Sequence, residues 1–271
     1  MTATRPTPFP QLNDVLQQLV ESQKAILQGN FVAAYLQGSF AVGGFDRHSD
    51  ADWIVVTGEE LSGEQVEALQ AMHSRIHDLD NPWAPHLEGS YFPQDVLRPN
   101  ARSGAPLWYL DHGARTLIRS GHCNTLVVRC VLRRQGIALA GPPPAMLVDP
   151  IPVNELRREI LATLNGWGAE ILADPEQINN HFYQSFVVLN YARMLHDLQT
   201  GKPGSKRSGA DWAKANLDPQ WADLIDRAWS GRPDPARSVR RPADPLELQR
   251  TLAFLRYVMD ASVAYAAIKG L

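Results

Sequence analysis

The 271-residue chain is short of cysteine, of long apolar runs and of charge concentrated in one sign, and each shortage excludes something. The two cysteines, Cys123 and Cys130, lie seven apart around the apolar stretch TLVVR. That spacing predicts two reduced core residues on one face of a helix, since metal-ligand and redox pairs usually sit closer. A net charge of −3 with no block of like charges argues against a dedicated nucleic-acid binder, which carries a basic stripe. Any polyanion handled is therefore small and bound locally. No uninterrupted apolar run approaches membrane-spanning length, and MTATRPTPFP lacks the apolar stretch of a signal peptide. A cytoplasmic monomer with no membrane or nucleic-acid partner is the expectation. With 44% hydrophobic and 20% charged residues, the composition is that of a soluble globular protein with room for one large domain or two ordinary ones.

What is present divides near residue 150. QLNDVLQQLVESQKAIL repeats apolar residues at helical spacing, with Leu12, Val15, Leu16, Leu19 and Val20 on one side. FVAAYLQGS reads as a buried strand entering a tight Gly-Ser turn, and ADWIVVTG as a second strand. GEQVEALQAMHSRIHDL follows as an amphipathic helix and HLEGSYF as a third strand. Residues 122–134 read as helix, and IALAG as a short strand. GPPPAMLVDPIP then places five prolines in residues 141–152, which regular structure does not accommodate, so a boundary or stiff linker is expected. Beyond it NELRREILATLNGWGAEIL, HFYQSFVVLNYARMLHDLQTG and LELQRTLAFLRYVMDASVAYAAI are long helical patterns, the second closed by Gly201 and Pro203. The predicted class is α+β: a domain over 1–150 with a mixed sheet flanked by helices, then an all-helical domain over 151–271.

The chemistry concentrates in the first half. Gly38 and Ser39 end an apolar strand and run into the glycine-rich AVGGF. A glycine lets the backbone approach a ligand closely, turn N–H groups suit phosphate, and the serine adds a hydroxyl donor. Most Gly-Ser turns hold nothing, so the carboxylates matter more. Asp50 and Asp52 are two apart on a strand, where side chains i and i+2 share a face. Two like charges about 7 Å apart repel by roughly 2 kcal/mol at an effective dielectric of about 20. A cation between them relieves that, and hard oxygen ligands in an open arrangement favour Mg²⁺ shared with substrate phosphates. An isolated D-x-D is usually a solvated strand end. A phosphate cradle on one strand and metal ligands on its neighbour are what nucleotidyl transfer needs.

YLQGSFAVGGFDRHSDADWIVVT is similar to the signature of the polymerase-β-like nucleotidyltransferases. The chain most resembles the aminoglycoside adenylyltransferases that modify streptomycin and spectinomycin. TGKPGSKRSGADWAKANLDPQWADLIDRA continues the likeness into that family's helical domain, down to A-D-W-A at Ala210–Ala213. The resemblance implies an antibiotic-resistance type of activity, moving AMP from ATP to a hydroxyl of a small molecule. It implies that Asp50 and Asp52 hold Mg²⁺ and that Gly38, Ser39 and Ser49 contact the triphosphate. Glu88, in HLEGSYF, matches the third carboxylate, set with the metal pair and acting as catalytic base. A bottom-up reading agrees that the attacking hydroxyl must lose its proton, although Glu88 taken alone is an ordinary strand residue. Arg193 and Lys206 match ATP contacts from the helical domain, which would close the cleft; an arginine fork suits phosphate oxygens. Trp229 is a candidate for stacking on adenine.

The likeness thins at the acceptor. Asn179 and Tyr183 stand where the family has drug-binding acidic residues, with Asp174 and Glu176 a few positions earlier. A tryptophan linked to streptomycin is replaced near Asp111 and His112, the latter readable as a partly buried loop histidine. Three readings stay open: an aminoglycoside adenylyltransferase, a same-fold transferase with a metabolite or protein hydroxyl as acceptor, and a non-catalytic nucleotide-binding regulator. The last needs only some of Asp50, Asp52 and Glu88.

Overall fold

A computed structural model describes residues 5–46, 49–98, 103–232 and 241–271. Residues 1–4, the start of the N-terminal segment judged above for a signal peptide, lie outside them. Cα packing divides the chain into two compact units, Met1–Ile151 and Pro152–Leu271.

In the first unit, β1 (Phe31–Leu36), β2 (Ala51–Thr57), β3 (Leu87–Pro93), β4 (Leu107–Leu110), β5 (Leu117–Ser120) and β6 (Ile137–Ala140) form one sheet in the order β5-β4-β3-β2-β1-β6. Only β2 and β3 run parallel; every other neighbouring pair is antiparallel. Parallel neighbours need a crossover, and α3 (Gly63–His77) supplies it. It starts on a capping box in which the Ser62 side chain accepts from the Gln65 N–H while the Gln65 side chain accepts from the Ser62 N–H. α1 (Pro10–Leu27) buries the five residues assigned to its apolar side, Leu12, Val15, Leu16, Leu19 and Val20.

Alternation along the strands splits the core between the two faces of the sheet. Ala34, Leu36, Trp53, Val55 and Tyr91 pack with α1 and α3. Ala33, Tyr35, Ile54, Val56, Phe92 and Tyr109 pack on the other face with Leu132 of α4 (Leu126–Gln135). Three expectations are corrected here. The Gly-Ser turn is the opening of a five-residue helix, α2 (Gly38–Val42). Helix α4 starts at Leu126 rather than His122, because Thr125 caps it by accepting the Val128 N–H at 3.1 Å. Cys123 consequently sits in the preceding turn and not on a helix face with Cys130, although both are free and buried.

Between α1, α3 and the sheet lies a buried polar knot. His73 Nε2 is 2.8 Å from the Tyr91 hydroxyl, which also accepts from Gln23 Nε2 at 3.2 Å, and the His73 ring stacks on Trp53 at 5.4 Å. Burial pushes the His73 pKa down from 6.5 to about 3, so the folded chain holds it neutral. The unfolded chain protonates it near its ordinary value. Stability is therefore full above pH 6.5 and falls as pH drops from 6.5 towards 3, by roughly 1.4 kcal/mol per pH unit. Urea unfolding at pH 7 and pH 5 should show this loss in the wild type. His73→Gln should remove about 2 kcal/mol of the difference. An unchanged pH difference in His73→Gln would assign the acid sensitivity to other groups.

The second unit contains, among the described residues, only helices and one isolated bridge between Asn180 and Pro242. Its long helices are α5 (Val153–Ala173), α6 (His181–Thr200) and α9 (Pro245–Lys269), with α7 (Lys206–Asn216) and α8 (Ala222–Gly231) between the last two. α9 packs on α5 and α6 through Phe254, Leu255, Val258 and Ala266. It is also the one described helix whose length and mean hydropathy, 1.2, match a membrane span, though Arg256 and Asp260 interrupt its apolar residues.

Candidate active site

The carboxylates gather where β2 and β3 begin and β4 ends. Asp50 immediately precedes β2, one residue outside the strand to which it was assigned, and Asp52 lies within it. In the parallel register Asp52 is directly opposite Glu88, as Trp53 is opposite Gly89. Asp52 and Glu88 therefore point from one face of the sheet, the face covered by α4. Their pairing depends on a register between distant strands, which no local spacing reveals.

Gly38 packs against Asp52. It is left-handed, with φ +60°, and a Cβ there would lie 1.9 Å from Asp52 Oδ2. The backbone is held in place by the Gln37 N–H, which donates to the Asp52 carbonyl at 2.8 Å. Next to it, Ser39 Oγ is buried with no hydrogen-bond partner among the described residues. A buried hydroxyl without a partner is costly unless something binds it, and a phosphate oxygen fits. Ser49 is placed differently: its hydroxyl accepts the Asp46 N–H at 2.9 Å.

Around Glu88 the structure adds three residues that the sequence pattern did not single out as partners. The Tyr109 hydroxyl is 2.7 Å from Glu88 Oε1 and 2.8 Å from Asp111 Oδ1, and its single proton can serve only one of them fully. His122 Nε2 approaches Glu88 Oε1 to 3.6 Å, and its ring lies against Tyr109 at 5.4 Å. Burial pushes the Glu88 carboxyl above the usual carboxylate range; the Tyr109 hydrogen bond and His122 oppose this, while Asp50 and Asp111 reinforce it. A carboxylate held this way is a stronger base than a solvated one. His112, its side chain 35% exposed, has Nε2 3.2 Å from Asp50 Oδ1.

In the helical unit, Arg193 of α6 donates to Asn190 Oδ1 at 2.8 Å. A Cβ on Gly209 would lie 2.5 Å from the Arg193 Cα, so only glycine lets α7 lie this close to α6. Lys206 opens α7, its ammonium over the Phe186 ring at 4.7 Å. The loop leading to Lys206 is tied to α6 by Asp197, which accepts from His196 Nδ1 at 2.8 Å and the Gly204 N–H at 2.9 Å. Arg193 and Lys206 thus belong to one helix pair. The Trp229 ring carries two guanidiniums, of Arg207 at 5.1 Å and Arg232 at 4.4 Å. Glu176 accepts from Asn179 Nδ2 at 3.1 Å, placing a carboxylate beside the Asn179 amide.

Comparison with known proteins adds a second line of observation. The family described as "Aminoglycoside adenylyltransferase, C-terminal domain" matches residues 146–249. The aminoglycoside (3'') (9) adenylyltransferase of Klebsiella pneumoniae is 25% identical over 255 residues, spanning 90% of this chain and 92% of the relative. The spectinomycin 9-adenylyltransferase of Staphylococcus aureus is 24% identical, over 79% of this chain and 82% of its own length. Among solved structures, the spectinomycin adenyltransferase AAD(9) from Enterococcus faecialis, crystallised with ATP and spectinomycin, superimposes with a TM-score of 0.68. It is 15% identical and is matched over 92% of this chain and 98% of that one, a likeness of fold.

Proposed function

We propose that this chain, which belongs to the aminoglycoside adenylyltransferase family, transfers AMP from ATP to a hydroxyl of an aminoglycoside antibiotic of the streptomycin or spectinomycin type. The observation that supports this most is the Asp52–Glu88 pair in register on parallel strands, with Gly38 against Asp52 and the buried Ser39 hydroxyl beside it.

The donor set is made of hard oxygens, Asp50 and Asp52 with Glu88 at their margin, and suits Mg²⁺. When bound there, Mg²⁺ orients the triphosphate and neutralises the charge that builds on departing pyrophosphate. The missing side chain at Gly38 makes room for the Asp52 carboxylate, and the Ser39 hydroxyl donates to a phosphate oxygen. Ser49, whose hydroxyl already accepts the Asp46 N–H, is the weaker candidate for a direct contact. Arg193 and Lys206, side by side on α6 and α7, are the basic residues of the helical unit suited to phosphate oxygens. Glu88 takes the proton of the acceptor hydroxyl as its oxygen attacks the α-phosphorus; the α–β bridging bond breaks, and pyrophosphate leaves. Asp111 and Asp50 give the surroundings a negative potential that attracts a cationic acceptor. Glu176, accepting from Asn179, is a carboxylate of the helical unit suited to a cationic group.

The test is incubation with labelled ATP, Mg²⁺ and a panel of aminoglycosides. The expected result is an AMP-shifted drug with equimolar pyrophosphate. Tight ATP binding without product from any drug would reject the aminoglycoside as acceptor. It would favour a same-fold transferase acting on a metabolite or protein hydroxyl, or a nucleotide-binding regulator.

A further inference from the structure

Two histidines stand on the outer side of Asp50, and the carboxylate chemistry above uses neither. His86 ends the short turn Ala84–His86 ahead of β3, and His112 follows β4 by two residues. Because β2 and β3 start at the edge of the sheet where β4 ends, both imidazoles arrive beside the residue preceding β2. His86 Nδ1 is 2.9 Å from His112 Nε2, which is itself 3.2 Å from Asp50 Oδ1. All three ligand atoms lie within 4.8 Å of one another, and the two rings stack at 5.2 Å.

Hydrogen bonding alone leaves this arrangement incomplete. His112 Nε2 carries at most one hydrogen, which cannot be donated in full to both the His86 nitrogen and the Asp50 oxygen. A cation among the three atoms would take a lone pair from each. Tetrahedral ligation with bonds of about 2.0–2.1 Å sets ligand atoms roughly 3.3 Å apart, close to the 2.9 and 3.2 Å that His112 Nε2 already makes to His86 and Asp50. Two imidazole nitrogens and one carboxylate oxygen suit zinc, cobalt, nickel or copper, whereas Mg²⁺ favours an all-oxygen shell.

We propose that Asp50, His86 and His112 form a three-ligand site for a divalent transition-metal ion of the Zn²⁺ type, with a fourth position open to water or substrate. The site stands on its own geometry. Its consequence for activity rests on the reading under Proposed function: Asp50 cannot serve this ion and Mg²⁺ equally, so Zn²⁺ should inhibit Mg²⁺-dependent turnover.

Co²⁺ is the probe, because its visible ligand-field band is intense only in four-coordinate sites. Metal-free wild-type protein should give that band, saturating at one equivalent and bleached by Zn²⁺. His86→Ala and His112→Ala should each weaken Co²⁺ binding more than tenfold, and the double variant should lose the band. Both side chains are at the surface, so far-UV circular dichroism and melting should stay at wild-type values. Absence of a four-coordinate band from the wild type, or an undiminished band in the double variant, would overturn the site. The band is read without substrate, so a chain that proved not to be an adenylyltransferase would still decide the question. If turnover is present, Zn²⁺ inhibition should be relieved in His86→Ala.

Discussion

Glu88→Gln should lower kcat by about a hundred- to ten-thousand-fold, the range over which positioned general bases act. The Kd for ATP should stay within about twofold, because the substitution keeps the shape of the side chain and its acceptor oxygen for Tyr109. The separation of kcat from ATP binding is the informative part: a group acting only on the acceptor proton is felt in turnover alone. Rate against pH should agree in sign. Burial raises the Glu88 carboxyl above the usual carboxylate range, so its base form is lost as pH falls through that raised value. The acid limb of the wild-type profile should therefore lie higher than for a solvated glutamate. Single-turnover kinetics with pre-bound ATP give the answer, and wild-type kcat in Glu88→Gln would remove Glu88 as base.

Gly38→Ala should be nearly as damaging by a different route. The left-handed backbone, φ +60°, costs an alanine about 1–2 kcal/mol before any contact is considered. The added Cβ would also lie 1.9 Å from Asp52 Oδ2, so either the carboxylate or the strand end must move. A displacement of about 1 Å at reacting groups can reduce rate about a hundredfold, and kcat/KM should fall at least that far. The melting temperature should drop by several degrees, in keeping with the backbone cost. Unchanged turnover would mean that the position of the Asp52 carboxylate does not limit catalysis.

What the sequence could disclose follows from where its information is local. The face of α1, the strands β1 to β3 and β6, and the three long helices are written in apolar periodicity, and the structure has all of them. β4 and β5 were not read from the sequence; in β5 the neighbouring exposed residues Ile118 and Arg119 break any inward-outward alternation. The helix α2 escaped because glycine and serine at its start resemble a turn. In the candidate site, Asp50, Asp52, Gly38 and Ser39 stood out through close spacing. Tyr109, Asp111 and His122 as partners of Glu88 were not, since the β3–β4 pairing and the turn ahead of α4 bring them there. The same holds for His86 beside His112. Pairings between strands are long-range facts, and side-chain chemistry in a linear sequence does not announce them.

The parallel alignment of β2 with β3 has one more consequence. Side chains alternate, so a slip of β3 by one residue would turn Glu88 towards the face that holds Trp53 and Tyr91, and set Leu87 or Gly89 beside Asp52. Such a misaligned chain could keep nearly all its helices and strands, and spectroscopy would count it as folded. Turnover would not, because no intermediate degree of slip leaves the two carboxylates facing each other. Specific activity in a refolded preparation therefore counts correctly aligned molecules, a stricter census than any measure of secondary-structure content.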